Sequence, residues 1–315
     1  GGEYQETNSL LQRGRLRLKI YDFLKNPVKN FIETPEKVLF FSIPVGLLFF
    51  VLSTYNYYSL EFDRIVYMID DYLIFTAFIV LLPYSIFAEA HFRRIRQISL
   101  NFPEFLNRLV SLHDSGMTIA ASIKRLGSSN LGILTSEVNK MDIDIELKGS
   151  ISEAFRNFGR RINTLSVQRV VVLVDNAIKM TGNIKDTLVI AANDATAAKA
   201  MDEDRKMSTQ MHIIIIYIAF FVFLYVIWAL VTSFLPEIPN VTPETAAAAQ
   251  IAGEGITFSG IDKLLYTRLF FHASVLEGFF SGLVAGQMGD SDARLGLKHS
   301  LAMTAIAYIM FMSIS

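Results

Sequence analysis

Between Ile213 and Leu235 the chain carries no Asp, Glu, Lys or Arg and little else that is polar. A helix of that length, at about 1.5 Å per residue, crosses a hydrocarbon core of about 30 Å. In lipid every backbone N–H and C=O has to be paired within the protein, and a lone run of this kind can meet that demand only as a helix. Tyr225 and Trp228 lie toward one end, where aromatic rings favour the headgroup region, and Pro236 closes the run. The uncharged runs Val38–Tyr58 and Tyr72–Ala88 predict two earlier spans on the same ground. Leu264–Gly286 predicts a fourth, although it carries Arg268, His272 and Glu277. Leu301–Ser315 is short for a full crossing. The expectation is an all-α polytopic membrane protein with four to five transmembrane helices. A hydrophobic content of 52% and a mean hydropathy of +0.38 agree, being high for a soluble domain.

Between the second and third spans the apolar character breaks off. From Glu89 to Met211 the chain reads as a soluble bundle of about six helices. Pro103, whose missing N–H is harmless in a first turn, opens one helix, with Phe105, Leu106, Leu109 and Val110 at helical spacing and Gly116 beyond its end. Thr118 caps a second, Thr118–Leu126. Leu131–Leu147, a short helix from Ser152, Leu165–Met180 and Ile184–Gln210 follow. Gly116, Gly149 and Gly182 each stand just past a helical run, where a left-handed backbone suits glycine, so they are expected to stop helices.

Charge orients the spans. Residues 1–37 form a basic arm with seven Lys or Arg, at 13, 15, 17, 19, 25, 29 and 37, whereas the loops 59–71 and 236–262 together hold only Arg64. Basic residues stay cytoplasmic, so the arm and residues 89–211 are expected inside and the loop 236–262, with its Asn240-X-Thr242 sequon, outside. The basic amphipathic pattern of residues 10–24 suits a lipid surface. The bundle holds 17 basic and 14 acidic residues, and the whole chain has a net charge of −1, so there is no electrostatic case for nucleic acid. Cysteine is absent, the five histidines are scattered, and there is no phosphate-cradling glycine loop, so no catalytic, cofactor or metal site is expected. Ser274, Gly278, Gly282 and Gly286 repeat every four residues, a face for close packing against another helix. Glu277 lies beside that stripe. An ionisable group in mid-membrane is costly and commonly functional, so it reads either as a polar lock or as a satisfied structural hydrogen bond.

A succession of short motifs then points to a family. Asn101-Phe102-Pro103-Glu104-Phe105-Leu106, Ser115-Gly116-Met117-Thr118-Ile119, Glu137 with Lys148-Gly149-Ser150-Ile151-Ser152-Glu153-Ala154-Phe155, and Ala177 with Thr181-Gly182-Asn183-Ile184 come in order. This order resembles the cytoplasmic domain of the type II secretion system F family, the inner-membrane platform proteins of secretion systems, type IV pili and the archaellum. Phe271-His272-Ala273, Gly282–Gly286 and Gly296-Leu297-Lys298-His299-Ser300 look most like its archaeal branch. The resemblance implies a hexameric cytoplasmic ATPase and pilin or archaellin subunits as partners, and a homodimer or higher homo-oligomer in the cell membrane. One bundle stands here where larger archaeal platforms commonly have two, so either residues 10–37 are the remnant of an upstream copy or another subunit supplies it. A motor contact would use charged helix ends and turns: Arg93, Arg94 and Arg96, which also serve as topology anchors, Lys124-Arg125, Arg160-Arg161, and Asp202-Glu203-Asp204. The stripe Ser274, Gly278, Gly282, Gly286 with Glu277 would be a helix-packing or pilin contact. The rival class is a transporter or ABC-type permease with Arg268, His272 and Glu277 along its path, against which stands the lack of inverted repeats.

Overall fold

The computed structural model describes residues 27–55, 62–179, 184–237, 263–290 and 292–314. Most of the basic arm, the sequon, much of the loop 236–262 and the helix stop predicted at Gly182 lie outside the described residues. The helices are α1 (Pro27–Glu33), α2 (Glu36–Tyr55), α3 (Phe62–Asp114), α4 (Ile119–Gly127), α5 (Thr135–Lys148), α6 (Ile151–Ile162), α7 (Leu165–Lys179), α8 (Ile184–Ala229), α9 (Lys263–Asp290) and α10 (Leu297–Ile314). Among the described residues there is no strand. Among the described residues, five helical stretches are long and apolar enough to cross a membrane: Glu36–Tyr55, Ile69–Asp114, Lys185–Glu237, Lys263–Asp290 and Ala293–Ile314. The last apolar run gains its length from the turn Ala293–Gly296 that leads into α10.

Two expected boundaries are absent. The second span and the first bundle helix are one helix, α3, with Pro103 buried inside it rather than opening it. Proline there cannot donate to Ser99 and costs about 3 kcal/mol in an isolated helix. Its neighbours Phe102, Phe105 and Leu106 are fully buried, and that packing holds the backbone helical through it. Likewise the last bundle helix and the third span are one helix, α8, followed by a π-helical turn at Leu230–Phe234. No Gly or Pro stands between Ile184 and Leu235. The change from polar to apolar side chains alters the solvent the helix prefers and leaves its backbone untouched.

The backbone packs as two units. One gathers Glu89–Met207, six helical segments around a single core of Phe102, Phe105, Leu106, Leu109, Ile123, Leu134, Met141, Phe155, Phe158 and Leu188. Phe102 stacks on Phe158 with ring centroids 5.2 Å apart. Local signals set the ends of its short helices. Thr118 accepts from the Ala121 N–H at 3.2 Å to cap α4, and Ser150 accepts from the Glu153 N–H at 3.2 Å to cap α6. Gly149, at φ +64°, closes α5 by donating to Ile145 O, and Gly116, at φ +93°, lies just beyond α3.

The other unit gathers the described residues up to Ala88 and from Ser208 onward. Phe220 and Leu224 of α8 pack with Met303 and Ala307 of α10, while Ile74 of α3, Ile227 and Val231 join Phe271 and Phe311. Gly46 brings α2 close to Thr76 and Val80 of α3. Among the described residues, α9 comes very close to α10 and to the turn Ala293–Gly296 before it. A Cβ at Gly282 would lie 2.1 Å from Ser300 N, and one at Gly286 would lie 2.1 Å from Gly296 Cα, so only hydrogen fits at either place.

Candidate functional site

The charged residues of the bundle separate into a buried network and an exposed set. The buried one centres on Glu137, on the face of α5 that also carries Val138 and Met141 and is 4% exposed. Lys140 Nζ donates to Glu137 Oε1 at 2.7 Å and Arg161 Nε to Oε2 at 3.0 Å, while Arg94 Nη2 lies 3.6 Å from Oε1. Arg161 Nη1 also reaches Asp144 Oδ2 at 3.0 Å. Burial pushes the Glu137 carboxyl upward, but the hydrogen bonds and charges of Lys140 and Arg161 outweigh it, and its pKa lies below the usual carboxylate range. The network ties α3, α5 and α6 at one point. Glu137 stood in the sequence as one member of a motif. The usable signal was its register: a carboxylate on the helix face of Val138 and Met141 has to find cations inside the fold.

Adjacent arginines therefore part company. Arg94 and Arg161, expected as surface for a motor, turn inward to Glu137, because i and i+1 on a helix point about 100° apart. Arg93 stays outside on Glu89 at 2.7 Å, and Arg96 Nη2 pairs with Asp202 Oδ2 at 3.2 Å. Lys124 Nζ meets Glu146 Oε1 at 2.8 Å, and that partner holds its ammonium above the ordinary lysine range. Arg125 and Arg160 are exposed; Arg160 bonds Asn157 on its own helix, and Arg125 makes no ion pair among the described residues. Glu203 and Asp204 lie in a stretch of α8, from Ala200 to Ser208, exposed at every position. Of the charged residues expected at a motor contact, Arg93, Lys124, Arg125, Arg160, Asp202, Glu203 and Asp204 are thus exposed, and the apolar side chains of Ile143 and Leu147 are also exposed on α5.

On α9 the stripe is not free. Ser274, Gly278, Gly282 and Gly286 are all buried, and α10 with the turn before it covers the glycines: Met303 and Thr304 of α10 lie against Gly278, Ser300 of α10 against Gly282, and Gly296 of the turn against Gly286. Ser300 Oγ donates to Phe279 O at 2.6 Å across the same seam. Expected as a helix-packing or a pilin contact, the stripe is a packing face used within the chain. Glu277 is on the other side and exposed, receiving a hydrogen bond from Ser281 Oγ at 2.8 Å. His272, on the same helix, bonds Asp70 of α3 at 2.8 Å through Nε2. Among the described residues no group of three or more His, Asp or Glu is placed to hold a metal ion.

Comparison with known proteins finds a family model on part of this bundle. Residues 105–232 match the family model of type II secretion system protein F, so the chain carries that domain. The match begins on the bundle part of α3 and ends in the π-helical turn that follows α8. An uncharacterized protein of Methanocaldococcus jannaschii is 24% identical over 269 residues, covering 85% of this chain and 42% of its own length. The chain thus spans less than half of that relative. No solved structure matches it.

Proposed function

We propose, taking the type II secretion F domain as the premise, that this is the membrane platform of a type IV pilus-like assembly machine, coupling a cytoplasmic hexameric ATPase to the movement of pilin-type subunits through the bilayer. The observation that carries the reading is the family match over 105–232, which takes in most of the bundle and most of one candidate span. In this reading Glu89–Met211 and the N-terminal arm face the cytoplasm, and the loop 236–262 faces out. The uninterrupted courses of α3 and α8, each of which holds both bundle residues and a candidate span, support it. The motor contact is the exposed set around Arg125, Arg160, Glu203 and Asp204, and the platform works as a homo-oligomer. A platform of this kind spends no nucleotide itself.

The chain lacks cysteine, so single cysteines report cleanly. With Ser128→Cys and Ala247→Cys in native membranes, an impermeant maleimide should label the second from outside and the first only after permeabilisation. The full chain should retain a hexameric secretion ATPase from the same cells, and Arg125→Glu with Arg160→Glu should weaken that retention. Labelling of both cysteines from one side, or nucleotide hydrolysis by the purified chain, would end the proposal.

A further inference from the structure

Glu277 lies midway between Lys263 and Asp290, the position of α9 farthest from water when that helix crosses a bilayer. Its side chain is nonetheless exposed, beside the exposed apolar groups Leu276, Phe280 and Val284. Its one hydrogen bond among the described residues comes from Ser281, a turn along the same helix. A carboxylate accepts at about four lone-pair positions, so most of its capacity is unmet. An ionisable group left toward lipid at this depth costs several kcal/mol unless a partner answers it. The opposite face of α9 is closed by α10, so no rearrangement of the small-residue stripe is needed to reach Glu277.

We infer that this outer face of α9 is an intramembrane docking surface for a transmembrane helix of another polypeptide that carries a basic side chain at mid-membrane depth, received by Glu277. The inference rests on the platform reading, in which that helix belongs to the subunit being moved. A second copy of this chain fits poorly. Copies inserted alike present the same residues at the same depth, and the runs 38–58, 72–88, 213–235 and 300–315 hold no Lys or Arg. The nearest cationic groups at other depths are His272 of α9, about 7 Å away along the helix axis, and Lys298 and His299 of α10, which stand just beyond the Ser300 that packs on Gly282 and are engaged with Asp290 and Tyr217; Arg268 is about 13 Å away. His272 is also engaged with Asp70. Self-association through α9 would bring carboxylate against carboxylate.

The test places a photocrosslinking amino acid at Phe280 of the full chain in native membranes, with a control at Leu48 on the exposed face of α2. The expected adduct at Phe280 is a filament subunit whose apolar helix carries Lys, Arg or His at matching depth. Glu277→Gln, which keeps the shape and the Ser281 contact, should lower its yield about three- to twentyfold, the range of one polar contact between membrane helices. Neutralising the partner's basic residue should do the same, and exchanging the two charges should restore the yield. An unchanged yield in Glu277→Gln, adducts with lipid alone, or adducts with a second copy of this chain would overturn the docking surface. Retention of the ATPase is read in the same membranes. Where it persists, such a failure strikes the docking surface alone; where the wild-type chain fails to retain it, the platform reading falls and takes the docking surface with it.

Discussion

Removing the Glu137 side chain is the sharpest test of how the bundle is held. In Glu137→Ala three cations, Arg94, Lys140 and Arg161, lose the carboxylate they share, and Arg161 keeps its bond to Asp144. Breaking a fully buried ion pair from one side costs about 3–5 kcal/mol. Here the carboxylate is buried but its partners keep 25%, 44% and 29% of their side chains exposed, in the order Arg94, Lys140, Arg161, so water takes up part of the loss. About 2–4 kcal/mol remains. In hydrogen exchange limited by opening of the bundle, that range speeds the amides of α5 and α6 by about 30- to 700-fold. Peptides from α9 and α10 should exchange as in the wild type. Exchange of α5 and α6 within about threefold of wild type would refute the account, because it would mean that solvent already carries the network.

Three further outcomes follow from the same geometry. Glu137 titrates below the usual carboxylate range of about 4.3 in the fold, so its stabilisation is full above that range and is lost as pH falls through its lowered value; the acid loss of bundle protection below about pH 4 should therefore flatten in Glu137→Gln. Gly282→Leu must push α10 away, since even a Cβ would sit 2.1 Å from Ser300 N where about 3.5 Å is normal, and a thiol reagent should reach Met303→Cys in that background while sparing it in the parent. Gly149→Ala should destabilise the bundle by about 1 kcal/mol through backbone strain alone, because φ is +64° and nothing lies within 4 Å of the added carbon, a loss that exchange of α5 would register.

The helical character, the spans and the family resemblance were all readable residue by residue, because each rests on a local cost. An uncharged run such as 213–235 excludes water wherever it lies, and Thr118, Ser150 and Gly149 act on the backbone within one turn of themselves. Helix length was not readable in the same way: hydropathy changes at about residue 89 and again at about 211, yet α3 and α8 continue, and Pro103 is overruled by the aromatic packing around it. What covers a face was decided only by the tertiary structure. Periodicity marked Gly278, Gly282 and Gly286 as a close-packing stripe but held no information on the partner, which is α10 and the turn before it in the same chain. Nor could it tell Arg160 from Arg161, since both are basic neighbours and only the position of Glu137 on another helix draws one of them inward. Non-local contacts depend on which segments meet, and a charge or a glycine has its role fixed by the group that arrives opposite it.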